Sequence, residues 1–364
     1  MLEENDSLAR MLVEVAAPHS IVEISRRVES ELLQFLTTEH TRWMLVDADF
    51  AIPIEALRRF VISGGKRLRP AFCFWTAVGL GLDPSDPGLM KTLLGLELLH
   101  TFALIHDDLM DRSALRRGEP SVHTAFATQH RQEELRGSSA QYGDSMAILV
   151  GDLAFAYADQ MLIDANRRAR QLYSELKLEV NLGQSLDISG SFALNTTLAK
   201  AERIALYKSG KYTVERPMHI GAAMAGRYFS TSDAITRFAV PLGMAFQLRD
   251  DVLGVFGMTE RTKKPVGDDL REGKQTLLIG LACQRCTSSE RELFEGLFGR
   301  DDLSVSEITA LQVMIEETGA LQAVEDRIDQ LFLRSMQALD ELPIIPEARA
   351  ALGEMAGFVV DRLH

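Results

Sequence analysis

The stretch "ELLHTFALIHDDLMDRSALRRGEPSVH", residues 97–123, closes an apolar helical run with His106, Asp107, Asp108 and Asp111, then presents Arg116 and Arg117 side by side. Carboxylates crowded at one helix end repel one another, which costs free energy unless a cation lies among them. Residues four apart on a helix differ by about 40° around its axis, so Asp107 and Asp111 share a face. His100, seven residues before Asp107, falls near that face. A second copy of the pattern stands at 248–254, "LRDDVLG", where Gln247 and Asp251 are four apart and Asp250 is adjacent. If the two helices pack side by side, four or five carboxylates converge on one gap and need a cation between them.

Donor chemistry selects the ion. The cluster is all oxygen, with no Cys and no His pair at ligand spacing, which favours a hard cation. Mg²⁺ suits it, since that ion keeps waters and bridges one or two carboxylates to substrate phosphates. The spacing excludes an EF-hand, and a di-iron bundle would need a partner for the single Glu-x-x-His of "ELLH". One Asp pair alone reads equally well as a solvated helix end; two pairs, each preceded by apolar helix, favour the metal.

The basic residues strengthen that reading. "GGKRLRP" at 64–70 places Lys66 and Arg69 after a flexible Gly pair, three apart and able to grip one anion. Lys208 in "YKSGKY", Lys264 in "TKKPVGDD" and Lys274 in "EGKQT" join Arg116 and Arg117. Arginine offers phosphate a planar fork and lysine a point charge. Acid for Mg²⁺ beside bases for phosphate predicts a site for two diphosphates, one metal-bound and one held by side chains alone.

The rest of the chain sets the frame. Its 364 residues are 46% apolar, and the mean hydropathy is −0.01, enough to bury a sizeable core. Leu, Ala, Met, Glu and Arg dominate, which favours helix. A net charge of −13 argues against binding nucleic acid or an anionic membrane surface. Cys73, Cys283 and Cys286 make no disulfide framework, and "CQRC" lacks a second Cys/His cluster, so these read as ordinary thiols of a reducing cytoplasm. The acidic N-terminus has no signal-peptide pattern, and residues 1–20 read as a disordered arm. The longest greasy stretch, 93–105, is interrupted by Glu97 and His100, so no integral membrane segment is expected.

Periodicity predicts helices over 20–44, 54–63, 68–80, 88–111, 146–163, 166–189, 199–226, 233–255, 275–287, 289–298, 304–318, 320–340 and 346–361. Pro87 and Ser304 mark helix starts, and Pro241 falls within a helix that it should kink. Loops are expected at 64–67, 112–120, 131–144 and 257–274. The expectation is one all-α domain over 1–364, with its motifs in about 60–280.

"GGKRLRP", "HDDLMD…RRGEP", "GQSLD", "YKSGKY…P", "FQLRDDVLGVFG" and "KPVGDDLREGK" follow in one order that resembles the trans-isoprenyl diphosphate synthases, the polyprenyl synthetase family. Six motifs in sequence are far more specific than any one. The resemblance implies about twelve or thirteen mostly antiparallel helices around a deep central cavity, usually in a homodimer. It implies two to three Mg²⁺ ions, and isopentenyl diphosphate with an allylic diphosphate as substrates. The allylic diphosphate ionises to a carbocation and pyrophosphate, isopentenyl diphosphate attacks C1, and a proton leaves.

Roles carry over by position. Asp107, Asp108, Asp111, Asp250 and Asp251 match the Mg²⁺ ligands. Lys66, Arg69, His100 and Arg117 match the isopentenyl diphosphate grip, with Gly65 allowing close backbone approach. Arg116, Lys208, Gln247 and Lys264 match the residues around the allylic diphosphate. Phe246 would stack near the isopentenyl tail, and Gln184 and Asp187 would sit close to the reacting carbon. His106, His123 and Asp152 read as structural, and Asp268, Asp269 and Lys274 as loop charge or loop closure. Three departures stand out: Gly254 replaces a third aspartate, Ser209 replaces Thr while keeping the hydroxyl, and Lys263 replaces Gly.

Product length should be set by bulk in the channel before Asp107. Phe102 lies five residues earlier, about 7.5 Å along the axis, and Ala103 beside it is small. One aromatic there resembles geranylgeranyl (C20) makers, and two adjacent ones resemble farnesyl (C15) makers, so C20 is favoured over C15. Two other classes compete with this reading: a non-catalytic regulatory subunit, which would usually lose acidic motifs, and a terpene cyclase, which needs no isopentenyl grip.

Overall fold

Helix-favouring residues recur along the whole chain, and the computed structural model, which describes residues 17–192, 197–257 and 267–360, is correspondingly almost all helix. In chain order come α1 (His19–Met44), α2 (Ala48–Ile62), α3 (Leu68–Gly79), α4 (Pro87–Met110), α5 (Val122–Gln132) and α6 (Ser139–Met161). Then follow α7 (Arg167–Ser191), α8 (Leu198–Ile204), the π-helix Ala205–Glu215, α9 (Arg216–Met224) and α10 (Tyr228–Phe256). The chain continues through α11 (Asp268–Arg271), α12 (Leu277–Arg285), α13 (Ser288–Leu297), α14 (Val305–Glu317), α15 (Ala320–Asp340) and α16 (Pro346–Val360). Strands β1 (Leu115–Arg116) and β2 (Glu119–Pro120) pair antiparallel between α4 and α5.

The expected starts are real caps. Pro87 opens α4 behind Asp86, whose carboxylate accepts the Leu89 N–H at 2.7 Å. Ser304 and Glu307 form a reciprocal capping box at α14. Such caps stabilise a helix by about 1 kcal/mol each.

Several boundaries differ from the periodicity. Helix α5 occupies a stretch that carried no helical expectation, and α6 begins at Ser139, inside the predicted loop 131–144. The Ser138 hydroxyl caps the Gln141 N–H there, so residues that read as loop are the polar first turn of a capped helix. Helix α2 starts at Ala48 behind an Asp47 cap, with Pro53 inside it. The stretch 199–226 is divided by the π-helix rather than continuous. Pro241 lies within α10, which runs unbroken from Tyr228 to Phe256. Residues 1–16 of the expected arm, and Lys263 and Lys264, lie outside the described residues.

The described residues form two compact units. One is built from Ile21–Tyr173 and Pro217–Tyr228 and carries the first acidic motif. Its central helix is α4, packed on α3 and α6, with Leu93, Leu98 and Leu99 at 0% exposure. Burying each such side chain contributes about 1.5–3 kcal/mol. By length and composition α4 is also the one helix among the described residues that could cross a bilayer, and most of it is core here. Glu39 ties α1 to α6, accepting from Tyr157 Oη and Trp43 Nε1 at 3.1 Å each.

The other unit takes in Ser174–Arg216 and the described residues from Phe229 onward, with the second acidic motif on α10. Arg249 in that motif is structural. It is buried, donates to both Glu325 oxygens at 2.6 and 2.7 Å, and donates to the Val360 carbonyl at 3.0 Å. That fork ties α10 to α15 and to the end of α16.

Candidate active site

The apolar run of α4 stops at the acidic motif, with Asp111 as its C-cap residue. Asp107 and Asp111 are half-buried, whereas Asp108 is 1% exposed. Arg116 explains the difference. Its Nε donates to Asp108 Oδ1 at 2.8 Å, a second nitrogen reaches the same oxygen, and Asp107 Oδ2 is 3.6 Å away. Burial alone would lower the Arg116 pKa, but Asp108, Asp107 and Asp111 outweigh it and raise the value above normal. Asp108 is therefore committed to orienting Arg116, while Asp107 and Asp111 are the partly exposed carboxylates of the motif.

The two arginines diverge because a turn separates them. Arg116 ends β1, while Arg117 and Gly118 form the hairpin loop, with φ of 57° and 84°. Two positive φ values define a primed turn, and a non-glycine residue there costs about 1–2 kcal/mol. Arg117 is thereby sent away from the acidic helix end. It donates to the Gly64 carbonyl and lies 3.5 Å from Ser63 Oγ, partners that carry no charge. Gly65, at φ 144°, packs under it: a Cβ there would lie 2.9 Å from an Arg117 terminal nitrogen.

His100 sits in the resulting positive field. Burial, with Arg69, Arg117, Arg67 and Arg116 around it, holds its pKa well below the usual histidine range. It is neutral at neutral pH, a hydrogen-bonding group ringed by guanidinium. Burial and the neighbouring Arg67 lower the Arg117 pKa to about 10. Lys66 is exposed and Arg69 half-buried at the start of α3. One arginine of this group is already neutralised: Arg67 pairs with Glu97 at 2.5 Å, with side chains 1% and 2% exposed. Sequence reasoning missed this pair, although a glutamate inside a greasy run was the signal for it. A field this positive, with a neutral histidine inside, suits an anion with several oxygens.

In the other unit, Gln247 Nε2 donates to Asp251 Oδ1 at 2.7 Å. Asp251 is 7% exposed and Asp250 half-buried. Burial, despite the Gln247 hydrogen bond and with Asp269, Asp250 and Asp187 nearby, pushes the Asp251 carboxyl up to about 8. Lys208 Nζ pairs with Asp187 Oδ2 at 2.5 Å, and Lys208 lies in the π-helix. Gly183 makes room for that segment, since a Cβ there would stand 2.5 Å from the Lys208 backbone nitrogen. Unusual helical turns of this kind recur at functional sites. Gln184 is half-buried one turn before Asp187, whereas Ser209 and Phe246 are buried at 7% and 6% exposure. Lys274 bridges Glu272 at 2.5 Å and Asp269 at 3.3 Å, so these charges are paired rather than solvated.

Among the described residues no group of three or more His, Cys, Asp or Glu forms a ready metal cage. The donors present, Asp107 with Asp111 and Asp250 with Asp251, are carboxylate oxygens in pairs. Either pair by itself suits Mg²⁺, which takes one or two carboxylates and fills its shell with water and phosphate. The raised Asp251 carboxyl agrees, because a buried acid gains most from a cation beside it. Phe102 and Ala103 are half-buried on α4 before Asp107. A groove of about 1010 Å³ in the first-motif unit, lined by Met44, Phe60 and Phe126 among others, shares only Arg116 with this set.

The family model for polyprenyl synthetase matches residues 53–315, a span that holds every candidate site residue. The chain belongs to that family. This polyprenyl synthetase is 32% identical over 311 residues to the geranylfarnesyl diphosphate synthase of Aeropyrum pernix, covering 83% of the chain and 91% of that protein. It is 31% identical over 307 residues to the (2E,6E)-farnesyl diphosphate synthase of Mycobacterium tuberculosis, covering 82% of the chain and 80% of that protein. Among solved structures, geranylgeranyl pyrophosphate synthase of Corynebacterium glutamicum, complexed with isoprenyl diphosphate and magnesium, superposes with a TM-score of 0.90. That match has 34% identity and covers 94% of this chain and 99% of the other. The polyprenyl synthetase described here is thus a prenyltransferase with the isoprenoid synthase fold, which makes a prenyl diphosphate.

Proposed function

We propose that this enzyme joins isopentenyl diphosphate head to tail to an allylic diphosphate, requires Mg²⁺, and releases chiefly geranylgeranyl diphosphate (C20). The observation that carries the reading is the divergence of Arg116 and Arg117: one turns to the carboxylates of α4, the other to the glycine loop beside His100 and Arg69. Two adjacent arginines aimed at two places serve two diphosphates.

Lys66, Arg69, His100 and Arg117 hold the isopentenyl diphosphate. Neutral His100 donates one hydrogen bond while the cations around it balance the charge. Asp107, Asp111, Asp250 and Asp251 would hold Mg²⁺, with Asp108 acting through Arg116. The bound ions would neutralise charge on the departing diphosphate and so favour cleavage of its bond to C1. Arg116, Lys208, Gln247 and Lys264 orient that diphosphate and stabilise the charge it gains. Asp187 fixes the Lys208 ammonium. The apolar side chains before Asp107 keep water from the allylic cation until the isopentenyl double bond attacks C1. The proton released then passes to pyrophosphate.

The relatives differ in product length, since farnesyl and geranylfarnesyl diphosphate synthases both match over most of the chain. The C20 assignment therefore rests on Phe102 with small Ala103 beside it, supported by the Corynebacterium glutamicum neighbour. A homodimer working in the cytoplasm, with the whole chain acting as one synthase domain, completes the proposal.

Titration of isopentenyl diphosphate against Lys66→Ala and Arg117→Met at saturating primer tests the grip. Losing a charge-assisted hydrogen bond is worth about 1.5–3 kcal/mol, so KM should rise roughly 10- to 100-fold. An unchanged KM in both variants would overturn the basic-site assignment.

A further inference from the structure

Lys208 stands in an unusual piece of backbone. The π-helix Ala205–Glu215 runs for 11 residues, whereas i→i+5 bonding is rare and mostly confined to single turns inside α-helices. Such a winding needs contacts that favour it over the α-helix, and α7 supplies them along one stripe. Glu175, Glu179, Gly183 and Asp187 follow one another four apart, so they share a face of α7. Arg216 donates to both Glu179 oxygens at 2.7 Å each, and Lys211 Nζ reaches Glu179 Oε1 at 2.5 Å. Arg216 also lies 3.5 Å from Glu175 Oε2. Further along α7, Gly183 leaves room for the backbone of Tyr207 and Lys208, and Asp187 takes the Lys208 ammonium.

The spacing of the two cations on Glu179 is that of a π-helix. Lys211 and Arg216 are five apart, and the Arg216 N–H donates to the Lys211 carbonyl. On an α-helix, residues five apart point about 140° away from each other around the axis. The wider winding brings them to one side, where a single carboxylate receives both. The three side chains are 17%, 16% and 13% exposed for Glu179, Lys211 and Arg216, so each charge depends on the others. Burial alone would raise the Glu179 pKa, but the hydrogen bonds from Arg216 and Lys211 outweigh it and hold the carboxyl below its usual range. Helix α10 packs on the same segment: a Cβ on Gly243 would lie 2.5 Å from the Gly210 carbonyl oxygen, and Thr236 Oγ1 donates to Glu215 at 2.9 Å.

We propose that Glu179 is a positioning residue for the coupling reaction: by taking Lys211 and Arg216 together it selects the π winding, and that winding carries Lys208 to Asp187. The inference rests on the reading of Lys208 as a group that orients the allylic diphosphate. In an α-helical winding Lys211 and Arg216 would splay to two sides of the axis, and Glu179 would keep one of them. Lys208, three residues before Lys211, would turn with the backbone and leave Asp187. Glu179 acts on no reacting atom; it acts through the segment that bears Lys208. No new chemical step is involved.

Glu179→Ala, Glu179→Gln and Lys211→Met are compared with Lys208→Ala, singly and combined, by initial rates over both substrates. A misplaced group at the reacting centre costs up to about 100-fold, so Glu179→Ala should lower kcat roughly 10- to 100-fold, with Glu179→Gln and Lys211→Met losing less. Glu179→Gln keeps the shape of the side chain and carries the same test where Glu179→Ala does not fold. KM for isopentenyl diphosphate should hold at its wild-type value, because its grip uses none of these residues. The decisive arm adds Glu179→Ala or Glu179→Gln to Lys208→Ala. Groups that act as a unit are non-additive, so the double variant should be no slower than Lys208→Ala alone. A Glu179 that only stabilises the fold would lower thermal stability and leave the kcat of folded protein alone. If Lys208→Ala loses turnover while folded Glu179 variants keep wild-type kcat, or if the double variant shows the full product of the single losses, the inference fails and the reading of Lys208 stands. If Lys208→Ala keeps wild-type turnover, both fail.

Discussion

The carboxylate of Asp269 occupies the space that a side chain at position 254 would need: a Cβ on Gly254 would lie 1.8 Å from Asp269 Oδ2. Gly254 is the position where many polyprenyl synthetases carry a third aspartate. In this chain a carboxylate still stands there, delivered from α11 instead of α10 and held by Lys274 at 3.3 Å. Overpacking a tight contact costs about 1–3 kcal/mol. Gly254→Asp should therefore destabilise the protein by that amount, with no gain in turnover, and adding Asp269→Gly should recover most of the loss. Urea unfolding of the two variants measures this, and a Gly254→Asp protein as stable as wild type would refute the contact.

A second prediction concerns Arg67 and Glu97, a buried ion pair beneath the anion site. Removing one partner strands the other charge, at a cost of about 3–5 kcal/mol. Glu97→Leu should be that destabilising, while Glu97→Leu with Arg67→Met should be close to wild type in stability. Equal stability losses in single and double variants would contradict the pairing.

The three aspartates of the first motif should separate. Asp107→Asn and Asp111→Asn should fold normally and lose roughly 10²- to 10³-fold in kcat, the scale set by removing one group that stabilises leaving-group charge. Their Mg²⁺ requirement should shift to higher concentration, read by Mg²⁺ titration of turnover. Asp108→Asn should instead lower stability, because buried Asp108 is what holds half-buried Arg116. The distinction collapses if all three variants show the same stability and the same Mg²⁺ dependence.

The low pKa of His100 predicts an acid-side loss of stability. Its folded value lies below the unfolded value of about 6.5, so the unfolded chain takes up the proton first as pH falls. The contribution is fully present above about pH 6.5 and declines below it, by at most about 1.4 kcal/mol per pH unit for one proton. Between pH 7.5 and 5.5 the wild type should lose roughly 1 kcal/mol more than His100→Gln. Parallel pH profiles for the two proteins would show that the arginines leave His100 titrating normally.

Much of this was legible in the residues. Charge that crowds without reason at two helix ends, and bases grouped around glycines, led to the motif order that marks the family, which the family model bears out. Leucine periodicity gave nearly every long helix. What stayed hidden depended on partners distant in the chain. Arg67 carries no role in the sequence, between Lys66 and Arg69, and only its buried pairing with Glu97 of α4 shows what it does. Asp108 looked equivalent to Asp107 and Asp111, because helical spacing cannot say which carboxylate Arg116 will take. The π-helix around Lys208 leaves no mark in a pattern read at 3.6 residues per turn, and the Ser138 cap was masked by the polarity of the turn that it begins.

The central claim is the coupling reaction and its length. The purified protein, incubated with isopentenyl diphosphate, Mg²⁺ and in turn dimethylallyl, geranyl and farnesyl diphosphate, yields products that are dephosphorylated and chromatographed. The account predicts geranylgeraniol as the main alcohol from each primer, lost when Mg²⁺ is chelated. Folded protein that forms no prenyl alcohol from any primer would contradict it.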